Sequence, residues 1–276
     1  MAFLPEALDK REITLYIVIR TLPVPQDVRN RWAPVYRWKW RKDRKMDVSG
    51  LQKLTLLDYP GRVACTIFTG GCDLRCPFCH NASLALPERE RDVIGHDELL
   101  AFLRKRVGIL DGVAVTGGEP LLHAGIEELL AEIKALGYAI KLDTNGTFPA
   151  RLRSIVEAGL ADRVAMDIKA APENYARVTG VPGLDLAPVR ESVDYLMHCG
   201  VDYEFRTTAV KGLHVPEDFE GIGRWIAGAK EYYIQCFKDS GDLIAAQGLS
   251  DFSEEEMRSL ADIVRPFVPA VQLRGI

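Results

Sequence analysis

The chain has 276 residues, 47% of them hydrophobic and 27% charged, with a formal net charge of −4. That balance describes a soluble globular protein with enough chain for one large domain or two small ones. The longest apolar run near the start, Leu15-Tyr-Ile-Val-Ile19, is far too short to span a bilayer and is closed by Arg20. Neither a membrane partner nor a secretory leader is expected, and a cytoplasmic location follows.

Residues 1–45 carry 11 Lys+Arg against 5 Asp+Glu, whereas the rest of the chain carries 24 against 34. Trp32, Trp38 and Trp40 also lie in this basic arm. A stretch such as Arg37-Trp-Lys-Trp-Arg-Lys42 could meet nucleic acid through phosphate contacts and base stacking. The arm nevertheless has Pro23, Pro25 and Pro34, no sustained period, and ends where an orderly domain sequence begins. It is therefore expected to be a disordered or translated upstream extension over 1–45, with Met46 the natural start of one domain over 46–276. The acidic body argues against nucleic acid as a partner.

From Val63 onward, short β-rich runs alternate with amphipathic helical patterns, the pattern of repeated βα units on a parallel sheet. Strands are predicted at 63–68, 113–116, 139–143, 163–167, 203–210, 232–237 and 270–273. Leu99, Leu100, Leu103 and Val107 mark a helix over 96–107, and Leu129, Leu130 and Ile133 another over 126–136. Pro149 suits the first turn of a third helix, and Ser253-Glu-Glu-Glu256 is a capping box opening a further one. Six or so units are too few for a closed eight-fold barrel. The expected fold is α/β, a partial, open (β/α)6-type TIM-like barrel.

In such folds the active site stands at the carboxyl ends of the strands. After the first predicted strand comes Cys72-Asp-Leu-Arg-Cys76-Pro-Phe-Cys79, three soft thiolate ligands on one short loop. In a reducing compartment this reads as a metal site, for zinc or an iron-sulfur cluster, with one coordination position left open. Cys65, Cys199 and Cys236 are scattered and read as small hydrophobes. After the second strand stands Gly117-Gly118-Glu119-Pro120, after the third Asp143-Thr-Asn-Gly146, and at the fourth Asp167-Ile-Lys169. Each alone could be a turn, a helix entry or a surface ion pair. Their shared position at successive strand ends is what points to a site.

Over residues 48–276 the chain resembles the radical S-adenosylmethionine superfamily, whose CxxxCxxC loop matches Cys72, Cys76 and Cys79, with Phe78 just before the last cysteine. The resemblance implies one 4Fe-4S cluster whose open iron is chelated by S-adenosylmethionine. It places Gly117 and Gly118 beside the methionine group, Glu119 on its amine, and Asp143 on the ribose or a neighbouring cation. Lys169 would meet the carboxylate or ribose, Arg206 a carboxylate, and Val210 would wall the adenine. A monovalent cation near Asp143 and Asp167 is a further expectation. Cys79-His-Asn81, Asp-Thr-Asn-Gly and Asp-Ile-Lys look like the activases that install a glycyl radical. Leu54-Thr-Leu-Leu-Asp-Tyr-Pro-Gly61 and Val271-Gln-Leu-Arg-Gly275 look closer to the activating proteins of anaerobic ribonucleotide reductases.

Partners so implied are a glycyl-radical enzyme, foremost an anaerobic ribonucleoside-triphosphate reductase, and a flavodoxin- or ferredoxin-like electron donor. Lys238 stands about where formate-lyase activases place a ligand-contacting histidine, which tilts the reading away from a pyruvate formate-lyase-like partner. The superfamily resemblance also accommodates a radical enzyme acting on a small molecule such as a deazapurine precursor. A zinc module with His80 as fourth ligand is the remote alternative, because adjacent Cys79 and His80 would struggle to chelate one small ion and the other strand-end motifs would go unused.

Overall fold

The computed structural model describes residues 45–86, 93–239 and 241–276. Residues 1–44, and with them the expectation of a disordered or upstream arm, lie outside the described residues. Eight strands form one sheet in sequential order. They are β1 (Gly50–Thr55), β2 (Ala64–Thr69), β3 (Gly112–Gly117), β4 (Ala139–Thr144), β5 (Arg163–Asp167), β6 (Asp202–Ala209), β7 (Tyr232–Cys236) and β8 (Val271–Arg274). β1 runs antiparallel to β2, and every later neighbour is parallel. β1 and β8 are the two edges, so the barrel is open between them.

The helices are α1 (Ala82–Ala85), α2 (His96–Arg106), α3 (Ile126–Ala135), α4 (Pro149–Glu157), α5 (Tyr175–Thr179), α6 (Ala187–His198), α7 (Pro216–Trp225) and α8 (Glu254–Val264). Pro149 opens α4 as expected, and at α8 Ser253 Oγ accepts from Glu256 N while Glu256 Oε2 accepts from Ser253 N. Among the described residues no helix is long and apolar enough to cross a membrane.

Side chains alternate across each strand, and here the alternation separates two environments. Cys65 and Ile67, Val113 and Val115, Ile140 and Leu142, Val164 and Met166, Tyr203 and Phe205, and Tyr232 and Ile234 join one core. Leu99, Leu103, Leu129, Ile133, Leu152, Ile155, Leu196, Phe219, Ile222 and Leu260 complete it from the helices. The alternate positions hold Thr66, Thr116, Asp143, Asp167, Arg206, Thr208 and Gln235, which face a cleft. A closed TIM barrel fills its interior with branched aliphatics; this open barrel keeps its inner face polar.

Lower on that face, the fully buried Glu204 pairs with Arg163 of β5 at 2.8 Å and Arg274 of β8 at 3.0 Å. Burial opposes its ionisation, but Arg274, Lys141 and Arg163 outweigh this and hold its carboxyl at about 2. The pair with Arg274 ties the last edge strand to the centre of the sheet.

Candidate active site at the strand ends

The carboxyl ends of the parallel strands open on a cleft of about 410 Å³. Cys72, Cys76, Cys79, Phe78, Gly117, Gly118, Asp143, Asp167, Lys169 and Arg206 all line it, so residues expected at separate strand ends converge.

The cysteine loop is fixed mainly by backbone. Gly71 N donates to Leu84 O at 2.6 Å, Cys79 N to Cys76 O at 3.0 Å, and Arg75 N to Thr179 O at 2.9 Å. The Arg75 guanidinium folds back onto the carbonyls of Cys72 and Leu74. Burial pushes the Cys72 thiol up to about 12 against the help of the Leu74 amide. It pushes Cys76 up to about 11 against the nearby Lys169 cation, and raises Cys79 as well. The unliganded thiols hold their protons, so loading a metal centre must release them.

The two glycines have a clear steric cause. A Cβ on Gly117, whose φ is +123°, would lie 2.3 Å from Thr69 N and O, and one on Gly118 would lie 1.8 Å from Gly71 O. The end of β3 is thus laid directly on the backbone leading into Cys72. Gly118 N donates to Thr69 O at 2.9 Å and Glu119 N to Gly71 O at 2.8 Å.

Glu119, expected on the ligand amine, is turned into the fold. Its carboxylate is wholly buried and accepts from Leu121 N at 3.0 Å, Thr144 Oγ1 at 2.8 Å and Asn145 N at 2.7 Å. These three donors all come from within the chain, two on one carboxylate oxygen and one on the other. Burial nonetheless pushes its carboxyl up to about 7 against those donors. What Glu119 does is clasp the ends of β3 and β4 together. Asn145, the third residue of the Asp-Thr-Asn-Gly motif, extends the clasp by donating from Nδ2 to Asp73 Oδ1 at 2.8 Å.

A row of alternating charges crosses the cleft. Lys141 Nζ meets Asp143 Oδ1 at 2.5 Å, and Asp143 Oδ2 meets Arg206 Nη1 at 3.0 Å. Arg206 Nε meets Asp167 Oδ1 at 2.9 Å, and Asp167 Oδ2 meets Lys169 Nζ at 3.0 Å. Burial works against the Asp167 charge, yet Arg206 and Lys169 hold its carboxyl at about 2. Burial likewise opposes the Lys169 charge, and Asp167 and Cys76 outweigh it, raising the ammonium's value. Within the chain, the positive charge between Asp143 and Asp167 is the Arg206 guanidinium.

Val210, expected to wall the adenine, lies just beyond β6, fully buried, with its N–H donated to His214 Nδ1 at 3.1 Å, and is not among the residues lining the cleft. Phe78 is 5% exposed and sits edge-on to His214. Asp58 and Gln235 are among the wall residues that went unforeseen. Asp58, in the turn after β1, accepts from Thr66 Oγ1 at 2.5 Å, and Gln235 is the next-to-last residue of β7. The strand-end rule could have found Gln235. Asp58 lies in the Leu54–Gly61 motif, whose place beside the cleft no local pattern announces. Cys236, expected to be a buried hydrophobe, is only half-buried and lines the cleft.

An open, mostly parallel barrel with three thiols, a two-glycine strand end and an alternating charge row defines an enzyme built to hold a metallocluster beside a polar, charged ligand. The sequence profile of the radical SAM superfamily matches residues 66–226, and the chain belongs to that superfamily. It is 30% identical over 237 residues to the "Putative glycyl-radical enzyme activating enzyme MJ1227" of Methanocaldococcus jannaschii, covering 83% of this chain and 96% of that protein. It is 33% identical over 158 residues to the "Probable GTP 3',8-cyclase" of Thermococcus kodakarensis, covering 56% of this chain and 50% of that one. Among solved structures, SuiB of Streptococcus suis bound to precursor peptide SuiA aligns with a TM-score of 0.60 at 15% identity, over 76% of this chain and 48% of that chain.

The superfamily implies a 4Fe-4S cluster and S-adenosylmethionine, and the residues present fit both. Three thiols on one loop face a common cleft, and the row beside them alternates in sign as a zwitterion does. Among the described residues no three His, Cys, Asp or Glu side chains are gathered as ligands of a single metal ion. His80, the fourth ligand in the zinc-module reading, stacks on Phe237 with ring centroids 5.4 Å apart.

Proposed function

We propose that this enzyme activates a glycyl-radical enzyme, with an anaerobic ribonucleoside-triphosphate reductase the partner favoured by its Leu54–Gly61 and Val271–Gly275 motifs. The observation that carries the reading is the extent of one match: similarity to the archaeal activating enzyme runs over 96% of that protein, whereas similarity to the cyclase stops at half. When bound, the cluster and S-adenosylmethionine supply reductive cleavage to methionine and a 5′-deoxyadenosyl radical able to take a hydrogen atom.

The chain's own residues do the rest. Cys72, Cys76 and Cys79 hold the cluster, and Lys169, near Cys76, receives the ligand carboxylate. Asp143, fixed from both sides by Lys141 and Arg206, accepts from the ribose or the amine, and Arg206 supplies charge to a carboxylate. Gly117 and Gly118 bring backbone carbonyls to the ligand without a side chain between, and Phe78 shields its apolar part. The opening between β1 and β8 admits a loop of a protein-sized substrate, which Asp58, Thr66 and Gln235 meet on the way in. An electron enters from a flavodoxin- or ferredoxin-like donor.

Electron paramagnetic resonance of the anaerobically reconstituted, reduced protein with S-adenosylmethionine and a candidate anaerobic ribonucleotide reductase tests this. A glycyl doublet accompanied by 5′-deoxyadenosine is expected. Full turnover of S-adenosylmethionine on a small molecule, with no doublet on any glycyl-radical candidate, would sink it.

A further inference from the structure

The three residues Asp167-Ile168-Lys169 carry two of the charges in the row, yet they leave β5 without helix or sheet to fix the last of them. Side chains hold their carbonyls instead. Tyr175 Oη donates to Asp167 O at 3.5 Å, Thr207 Oγ1 to Ile168 O at 2.6 Å, and His214 Nε2 reaches Lys169 O at 2.8 Å. His214 is 3% exposed, and its Nδ1 accepts from Val210 N at 3.1 Å. A neutral imidazole carries one proton; with Nδ1 accepting, that proton is on Nε2 and is donated to Lys169 O. The ring is wedged between Phe78 of the cysteine loop, at 6.3 Å between centroids, and Phe219 of α7, at 5.8 Å.

We infer that His214 is a positioning residue: its Nε2–H holds the Lys169 carbonyl, and so aims the Lys169 ammonium into the cleft toward the carboxylate of S-adenosylmethionine. The backbone at Lys169 has no other described partner for that carbonyl, and a buried carbonyl left unpaired turns to find one. Rotation there would swing Nζ off its 3.0 Å contact with Asp167. This inference rests on the ligand role given to Lys169 above.

Two substitutions separate the two hydrogen bonds. His214→Gln keeps a donor at the ε position and loses the acceptor for Val210. His214→Asn keeps the acceptor and loses the donor to Lys169. Each reconstituted variant is assayed for iron per chain, thermal midpoint and S-adenosylmethionine affinity by calorimetric titration. With iron content at the wild-type level, affinity should fall about tenfold in the Asn variant and stay within about threefold in the Gln variant, although both lose stability. Equal affinities in the two, or wild-type affinity in the Asn variant, would overturn the inference. Should the Asn variant not fold, His214→Phe, which keeps the ring packing and loses both bonds, replaces it against Gln. Lys169→Ala separates the two levels of reading. If it weakens binding while His214→Asn does not, only the positioning role falls; if it binds normally, the role of Lys169 falls and takes this inference with it.

Discussion

Gly118→Ala tests the contact between the end of β3 and the cluster loop. Its Cβ would stand 1.8 Å from Gly71 O and 2.6 Å from Gly71 C, where real Cβ contacts essentially never fall under 3.0 Å. The carbonyl oxygen must therefore retreat by at least about 1.2 Å. It cannot do so cheaply: Gly71 O accepts from Glu119 N, Gly71 N donates to Leu84 O, and Cys72 follows directly. Overpacking costs roughly 1–3 kcal/mol and a broken buried hydrogen bond about as much again, so a loss of about 3 kcal/mol is expected. For a domain of this size that lowers the thermal midpoint by roughly 6–12 °C. Scanning calorimetry of the metal-free protein gives the midpoint, and iron and sulfide analysis after reconstitution gives the loading. Iron should fall well below four per chain because the displaced segment carries the first ligand. Gly159→Ala is the control, with φ +67° but nothing within 4 Å of the added methyl, and should lose stability while loading fully. A Gly118→Ala protein with full iron and a midpoint within about 2 °C of the wild type would refute the close-approach reasoning.

Burial raises the Glu119 carboxyl from an ordinary 4.5 to about 7 in the fold. Its contribution to stability is thus full below about pH 4.5 and is lost as pH rises to about 7, by about 3 kcal/mol. Urea midpoints of wild type minus Glu119→Gln should fall across that window; a pH-independent difference would contradict the buried-acid assignment. Arg206→Gln leaves Asp143 and Asp167 facing each other without their shared partner, and should cost roughly 3–5 kcal/mol by denaturant titration, against no measurable loss if the row is ornamental. Asp167, held at about 2 in the wild type, contributes stability present above its unfolded value and lost as pH falls through about 2, and Arg206→Gln should shrink that acid-limb loss. Cys76→Ala should abolish both the brown colour and bound 4Fe-4S iron, whereas an intact cluster absorption would exclude Cys76 as a ligand.

The strands were legible because their outward residues are apolar at every second position, as in Val113–Val115 and Ile140–Leu142, and each predicted run lies within a residue or two of the observed one. β1 was not, since Gly50–Thr55 is an edge strand whose middle residues are exposed, and its antiparallel pairing with β2 is a long-range fact. The three cysteines, the two glycines, Asp143, Lys169 and Arg206 were found from strand-end position and motif, and they do share one cleft. Side-chain direction was the illegible part. Whether Glu119 turns outward to a ligand or inward to Leu121, Thr144 and Asn145 depends on the 3₁₀ turn at Pro120–Leu122, which Glu119 caps. Val210 was harder to read for a similar reason: β6 ends at Ala209, so strand alternation no longer fixes which way the next side chain turns.

Deuterium transfer tests the central claim most directly. A candidate anaerobic ribonucleotide reductase grown with α-deuterated glycine is incubated anaerobically with the reduced enzyme and S-adenosylmethionine, and the 5′-deoxyadenosine formed is weighed by mass spectrometry. Gain of one deuterium, in step with the glycyl radical on the reductase, is the expected result. Unlabelled 5′-deoxyadenosine alongside a formed glycyl radical would contradict direct abstraction from the glycine α-carbon, and with it the role given to this cleft.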